Sequence, residues 1–423
     1  MELTAAMWRR IGAVTGWVIG TTAAVSGAAV VGTAAYFGRR VLTPDVVHPD
    51  DCELLGVDPQ AGTVTLAANH LTTQPGRYGL WLDGGRSHLR FSEILERDEE
   101  ADGGPTVTRR LDALDEVRPV DALDATREPG TQEPTAPRLG GARLNPYYFP
   151  RDPRSALGVP ARDLTLHSDV GDFPCWYLPP DPATSAFDAG EHRRWAITVH
   201  GRAARREEGF RAVRTLREAG YATLVPAYRN DTDAPRSEDG RYNLGLTEWR
   251  DIEAAIEHAV EHGAEEIVLI GYSMGGAIVL QTLVHSAHAD RVTGVVLDGP
   301  VVDWGRVLSH AASRNGVPVA VEQLARHLMG RQETTFLLGI TEPRDLALLN
   351  WLARAEELRH PILVIHSEQD EVVPVESSRE LAELRPDLVR LEEWSQGMHC
   401  REWNVDPERW EQVVGEFLAG LVD

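Results

Sequence analysis

With 423 residues, 42% hydrophobic and 25% charged, the chain has material for two ordinary globular domains or one large one. A formal net charge of -23 argues against sequence-independent binding to nucleic acid, which needs a surplus of basic side chains to neutralise phosphates. All 42 basic residues are Arg, which excludes a Schiff-base lysine, a Ser-Lys dyad and a P-loop, and the three cysteines, Cys52, Cys175 and Cys400, allow at most one bridge and no Cys-based zinc site.

The first distinctive stretch runs from Ile11 to Gly38 without a charge, between Arg9-Arg10 and Arg39-Arg40. About twenty apolar residues span a bilayer as a helix, and a signal-peptide core is shorter, about 7–15 residues. Residues 1–40 are therefore expected to form a single-pass membrane anchor. Two arginines on each side leave its orientation nearly tied, with a weak preference for an extracytoplasmic catalytic part. The alternative is a buried Ala/Gly helix of the globular protein.

Residues 41–160 read as a β-rich accessory domain with flexible loops. Thr63 to Ala67 has strand character, Tyr78 to Phe91 a hairpin turning at Asp83-Gly84, and Val107 to Leu111 another strand. Leu95 to Pro105 carries Glu96, Glu99, Glu100 and Asp102 and reads as a solvated loop, and Glu128 to Pro137 as a flexible Pro/Thr/Glu-rich one.

From residue 161 to 423 the pattern becomes that of a catalytic domain. Two short strands at Asp163 to His167 and Phe173 to Leu178 precede alternating strands and helices, which predicts a doubly wound, mostly parallel α/β sheet with helices on both faces. Reactive groups in such sheets gather at the carboxyl ends of the strands. About 301–358 is an insertion with helical spacing at Val321, Leu324 and Leu328, either a cap over that rim or a plain connection.

The chemistry centres on Gly271-Tyr-Ser273-Met-Gly275, where an apolar strand runs into a sharp turn and then a helix. Such a turn lifts the central hydroxyl clear of the sheet, and Gly271 and Gly275 leave room for the backbone packed against it. A serine hydroxyl needs a general base, and the base an orienting carboxylate. In the chain order this motif uses, Asp370 past one strand and His399 past the next are the candidates. Asp298, Glu368 and Glu371 are rivals for the acid, while His366 before the acid loop and His200 at an earlier strand end could each sit near the site without being the base. Two backbone N–H groups should face the oxyanion, one from Met274 and one from Arg202 in the turn His200-Gly201-Arg202. Arg205-Arg206-Glu207-Glu208 reads as a charged helix start rather than an anion site.

Together His200-Gly201, Gly271-Tyr-Ser273-Met-Gly275, His366-x-x-x-Asp370-x-x-Val-Pro374 and His399-x-x-x-Trp403 resemble the α/β-hydrolase superfamily over roughly residues 160–423. The nearest likeness is to the serine-hydrolase branch with prolyl-peptidase-like enzymes and membrane-anchored lipid hydrolases. The resemblance implies Ser273, Asp370 and His399 as a triad and the N–H groups of Arg202 and Met274 as oxyanion hole. The expected function is hydrolysis of a carboxylic ester in a small-molecule acyl substrate, with no cofactor, no metal, no nucleic acid and a membrane met through the N-terminal helix. Peptidase or amidase action, acyl transfer, or a non-catalytic tethered binding protein are the alternatives.

Overall fold

The computed structural model describes residues 27–44, 49–115, 138–183 and 192–421. Contacts divide the chain into two units: Met1–Val46 with Arg162–Glu402 and Trp410–Asp423, and Val47–Ala161 with Trp403–Arg409.

The smaller unit is a closed antiparallel barrel. Its strands are β1 (Cys52–Asp58), β2 (Thr63–Ala67), β3 (Tyr78–Leu82), β4 (Ser87–Asp98), β5 (Thr106–Asp115) and β6 (Gly140–Asn145), in the order β1-β2-β5-β4-β3-β6. Closure removes the free edges that short strands would otherwise expose. Leu54, Val64, Leu66, Leu80, Leu89, Phe91 and Val107 fill the interior. The hairpin between β3 and β4 turns where Asp83 and Gly84 both adopt positive φ. The stretch expected as a solvated loop from Leu95 is shorter than its charges suggest. β4 runs on to Asp98, pairing Glu96 with Thr108 and Asp98 with Thr106, because its outward side is solvated and tolerates acidic residues in a strand. Glu128 to Pro137 lies outside the described residues.

The larger unit is built on an eight-stranded sheet, β14-β13-β12-β11-β9-β10-β8-β7. Here β7 is Arg162–Ser168, β8 Gly171–Leu178, β9 Arg194–Val199, β10 Ala222–Pro226, β11 Glu266–Tyr272, β12 Val292–Asp298, β13 Ile362–Ser367 and β14 Val389–Trp394. β7 and β8 are antiparallel, and β9 to β14 run parallel. β10 and β13 are buried at every residue and β9, β11 and β12 at nearly every one, as a sheet covered on both faces requires. β10 lies on one side of β9 and β11 on the other, so strand order reverses there and opens a crevice at the carboxyl ends. Between β12 and β13 the insertion forms helices Trp304–Arg314, Val319–Met329 and Thr335–Leu338, the first capped by Asp303, whose side chain accepts from the Gly305 N–H at 2.7 Å.

The expected membrane anchor is not found among the described residues. No helix among the described residues is long and apolar enough to cross a membrane. Residues 11–26 of the uncharged run lie outside the described residues, and the rest belongs to the 16-residue helix Gly27–Leu42. Its Ala34, Phe37, Val41 and Leu42 are at most 5% exposed and join the core of the larger unit with Met329 and Leu338. Gly38 marks the closest approach: a Cβ there would fall 2.9 Å from Leu338 Cδ2. An Ala/Gly-rich face serves helix packing as well as it serves a bilayer, because small residues let backbones come together. Phe37→Ala should therefore lower the unfolding free energy by about 3 kcal/mol, the range for truncating a buried Phe. Urea unfolding monitored by tryptophan fluorescence measures it, and an unchanged midpoint would mean the helix is not part of the core.

Candidate active site

β11 ends at Tyr272 and the helix Met274–His285 starts two residues later, so Ser273 carries the reversal of the chain. It does so at φ 54°, ψ -116°, a conformation that non-glycine residues rarely hold. A Cβ at Gly271 would lie 2.7 Å from the Gly275 carbonyl oxygen, and one at Gly275 would overlap the Val199 carbonyl oxygen. The turn is pinned to β12 by the Ser273 N–H, which donates to the Asp298 carbonyl at 3.0 Å.

The loop after β14 carries His399. Its Nε2 lies 2.7 Å from Ser273 Oγ and its Nδ1 2.6 Å from Asp370 Oδ2. A carboxylate only accepts, so the proton belongs on Nδ1 and Nε2 is left to accept from the Ser273 hydroxyl. The ring is seated beside Gly299, at φ 53°, where a Cβ would come 3.3 Å from Nδ1 and 2.8 Å from the Cys400 sulfur. Asp370 is buried, with Oδ1 accepting from the N–H groups of Val372 at 2.8 Å and Val373 at 2.9 Å. Its Oδ2 also receives His366 Nε2 at 3.1 Å. Burial pushes this carboxyl up, but the His399 and His366 imidazoles outweigh it and hold it far below the usual carboxylate range.

The turn after β9 comes against the same side chain: a Cβ on Gly201 would be 3.0 Å from Ser273 Cβ. The Gly201 N–H donates to Glu208 Oε2 at 2.7 Å and the Ala203 N–H to Tyr242 Oη at 3.2 Å, with the Arg202 N–H between them in sequence. Glu208 Oε1 accepts from Arg211 at 3.1 Å, and Arg211 also donates to the carbonyl of Cys400. One buried ion pair thus touches both the turn after β9 and the loop of His399. Desolvation works against the Arg211 charge, and Glu208 beside it more than compensates. In the sequence Glu208 reads only as part of a charged helix start, and Arg211 carries no signal of its own. Arg206, in the same run, stacks 3.6 Å over the Trp176 ring and pairs with Asp233 at 3.1 Å.

The remaining candidates go elsewhere. Asp298 accepts from Trp410 Nε1 at 2.9 Å, Glu368 pairs with Arg379 at 3.4 Å, and Glu371 with Arg314 at 2.8 Å. His366 holds the acid from behind, its Nδ1 2.7 Å from Ser378 Oγ. His200 bonds Asp231 through Nε2 at 2.8 Å, reaches the Gly201 carbonyl through Nδ1 at 3.0 Å, and stacks on Tyr228 at 4.2 Å. Burial disfavours its charge, but Asp231 outweighs burial and raises the His200 pKa. Glu402 is buried, and neither of its carboxyl oxygens has a hydrogen-bond partner among the described residues. Burial, and then the Asp298 charge, push its carboxyl well above the usual range. Glu253, Glu257 and His288, away from these residues, bring possible metal-ligating atoms within 4.8 Å of one another.

Residues 196–414 match the alpha/beta hydrolase family, and residues 53–127 match a domain of unknown function (DUF8805). The 2-hydroxymuconate semialdehyde hydrolase of Pseudomonas sp. (strain CF600) is 28% identical over 213 residues, 44% of this chain and 71% of its own. Among solved structures, the chain is similar to the esterase Pf2001 of Pyrococcus furiosus, with a TM-score of 0.49 and 18% identity over 64% of this chain and 94% of that one. It is also similar to the acylaminoacyl peptidase of Pyrococcus horikoshii, with a TM-score of 0.47 and 15% identity over 85% of this chain and 54% of that one.

Two pH-dependent effects follow from the buried groups. Glu402 binds a proton in the folded state that the unfolded chain releases above its ordinary value of about 4.3, so it costs stability increasingly as pH rises through that value. Glu402→Gln should raise the melting temperature more at pH 8 than at pH 4.5, and calorimetry at the two pH values checks it. His200 has the opposite sign: its raised pKa gives stability present below about 6.5 and lost as pH climbs through the folded value. Asp231→Asn should accordingly lower the melting temperature more at pH 6 than at pH 9.

Proposed function

The chain belongs to the alpha/beta hydrolase family and is a hydrolase, and on that basis we propose that it cleaves carboxylic esters through an acyl-enzyme on Ser273. The observation that carries this reading is the His399 ring, 2.7 Å from the Ser273 hydroxyl on one side and 2.6 Å from the Asp370 carboxylate on the other. In the proposed cycle His399 Nε2 takes the Ser273 proton as Oγ attacks the acyl carbon. Asp370 holds the Nδ1 tautomer and stabilises the imidazolium that forms. The N–H groups of Met274 and Arg202 receive the oxyanion. His399 then passes its proton to the departing alcohol, accepts one from water, and the resulting attack frees the acid and returns the proton to Ser273.

An ester is proposed because it asks least of this site. An alcohol leaves a tetrahedral intermediate more readily than an amine, and a single histidine suffices to protonate it. The helices between β12 and β13 are proposed as the cap over the acyl or leaving-group side.

A fluorophosphonate probe should label the wild type and leave Ser273→Ala unlabelled. With short-chain nitrophenyl esters, Ser273→Ala and His399→Ala should each lose at least about 10³-fold in kcat, and the double variant no more than either, because the two act as one unit. Equal rates on an ester and an amide of the same acyl group would replace the ester reading with an amidase.

A further inference from the structure

The helix Gly27–Leu42 ends against the turn proposed to bind the oxyanion. A helix leaves its last carbonyls without intrahelical partners, and these carry the negative end of its dipole. Here they are taken up by the catalytic unit. Arg202 Nε donates to the Val41 carbonyl at 3.0 Å, and Arg202 Nη2 to the carbonyls of Thr43 at 3.0 Å and Arg40 at 3.4 Å. The Tyr242 N–H donates to the Leu42 carbonyl at 2.8 Å, and Arg241 donates to Thr43 Oγ1. The Tyr242 ring lies 5.5 Å from the Arg202 guanidinium, and its hydroxyl accepts the N–H of Ala203, a residue held at φ 56°. The backbone that precedes Ala203 is thus gripped through a side chain on one side and a hydroxyl on the other.

We propose that Gly27–Leu42 is a working part of the hydrolase: its terminal carbonyls hold the Arg202 guanidinium and so fix the turn that presents the Arg202 N–H to the oxyanion, with Arg202 and Tyr242 side chains as positioning residues. The proposal rests on the ester-hydrolase reading above. The side chains do not touch the reacting atoms. They act by keeping a strained turn in one conformation, which matters because an oxyanion donor works only when aimed in advance. Gly38 sets how closely the helix seats, since any side chain there meets Leu338 and Met329.

The test uses the full chain with Arg202→Met, which keeps the backbone N–H and much of the side-chain length, Tyr242→Phe, and their double variant. With an ester substrate, each single variant should lose about 10–100-fold in kcat, less than the 10²–10³ of deleting a donor outright, with KM changed less than about twofold. The double variant should fall no further than the worse single one. Amide hydrogen exchange gives a readout independent of activity: Arg202→Met should speed exchange together in peptides covering residues 38–43 and 200–204. Gly38→Leu, which unseats the helix without touching Arg202, should reproduce both effects. Folded variants with wild-type kcat, or with a kcat loss but unchanged exchange in 38–43, would overturn the clasp and leave the ester reading standing. A wild type that neither cleaves esters nor takes the fluorophosphonate would overturn the ester reading, and the exchange results would then speak to the clasp alone.

Discussion

The strained turn at Ser273 is the constraint from which the rest of the site takes its form. A residue at φ 54° stays there only if its surroundings leave it no other choice. The surroundings are tight on every side. Gly271 and Gly275 have no room for a Cβ, and the Asp298 and Val301 backbones hold both faces of the Ser273 peptide groups. Because the turn is set by strand and helix packing rather than by loop hydrogen bonds alone, the hydroxyl has a fixed position for other groups to converge on. The strand-order reversal at β9 then brings the turn after β9 against the Ser273 Cβ.

Charge is handled in three different ways within this one region. Asp370 is buried yet ionised, because two imidazoles and two backbone N–H groups compensate its desolvation. Glu208 is buried and paired with Arg211, and its other oxygen holds the Gly201 N–H. Glu402 has no such partner among the described residues, and burial pushes its carboxyl well above the usual range. A buried carboxyl is thus an orienting anion, a strut or a group pushed toward its neutral form according to what surrounds it. The two His-carboxylate pairs differ in the same way: His399 shares its carboxylate with a second histidine and faces a hydroxyl, whereas His200 spends both nitrogens on Asp231 and Gly201.

The N-terminal helix shows how a sequence signal can be real and its reading incomplete. Small apolar residues with arginines at both ends suit a bilayer, and they equally suit a helix laid closely on other helices. The flanking Arg39 and Arg40, which suggested a membrane boundary, stand in the last turn, where cations are favoured by the helix dipole. For residues 27–42 the packing role follows from the presence of a matching surface. Met329 and Leu338 supply one, from an insertion nearly three hundred residues further along the chain.

Period and chain order were enough to determine the alternating strands and helices, the Gly271-to-Gly275 turn, and the choice of Ser273, Asp370 and His399 as the side chains to watch. Those features are local: a hydrophobic period, a glycine where a Cβ cannot fit, a polar residue just past a buried strand. The barrel's closure, the burial of Gly27–Leu42, and the linkage of Glu208, Arg211 and Arg202 to the site were decided by tertiary structure alone. Each depends on which distant surface a segment meets, and a charged residue in a linear chain looks the same whether its partner will be water, a helix terminus or a buried carboxylate. Only when the fold removes water does that difference acquire an energy large enough to assign the residue a role.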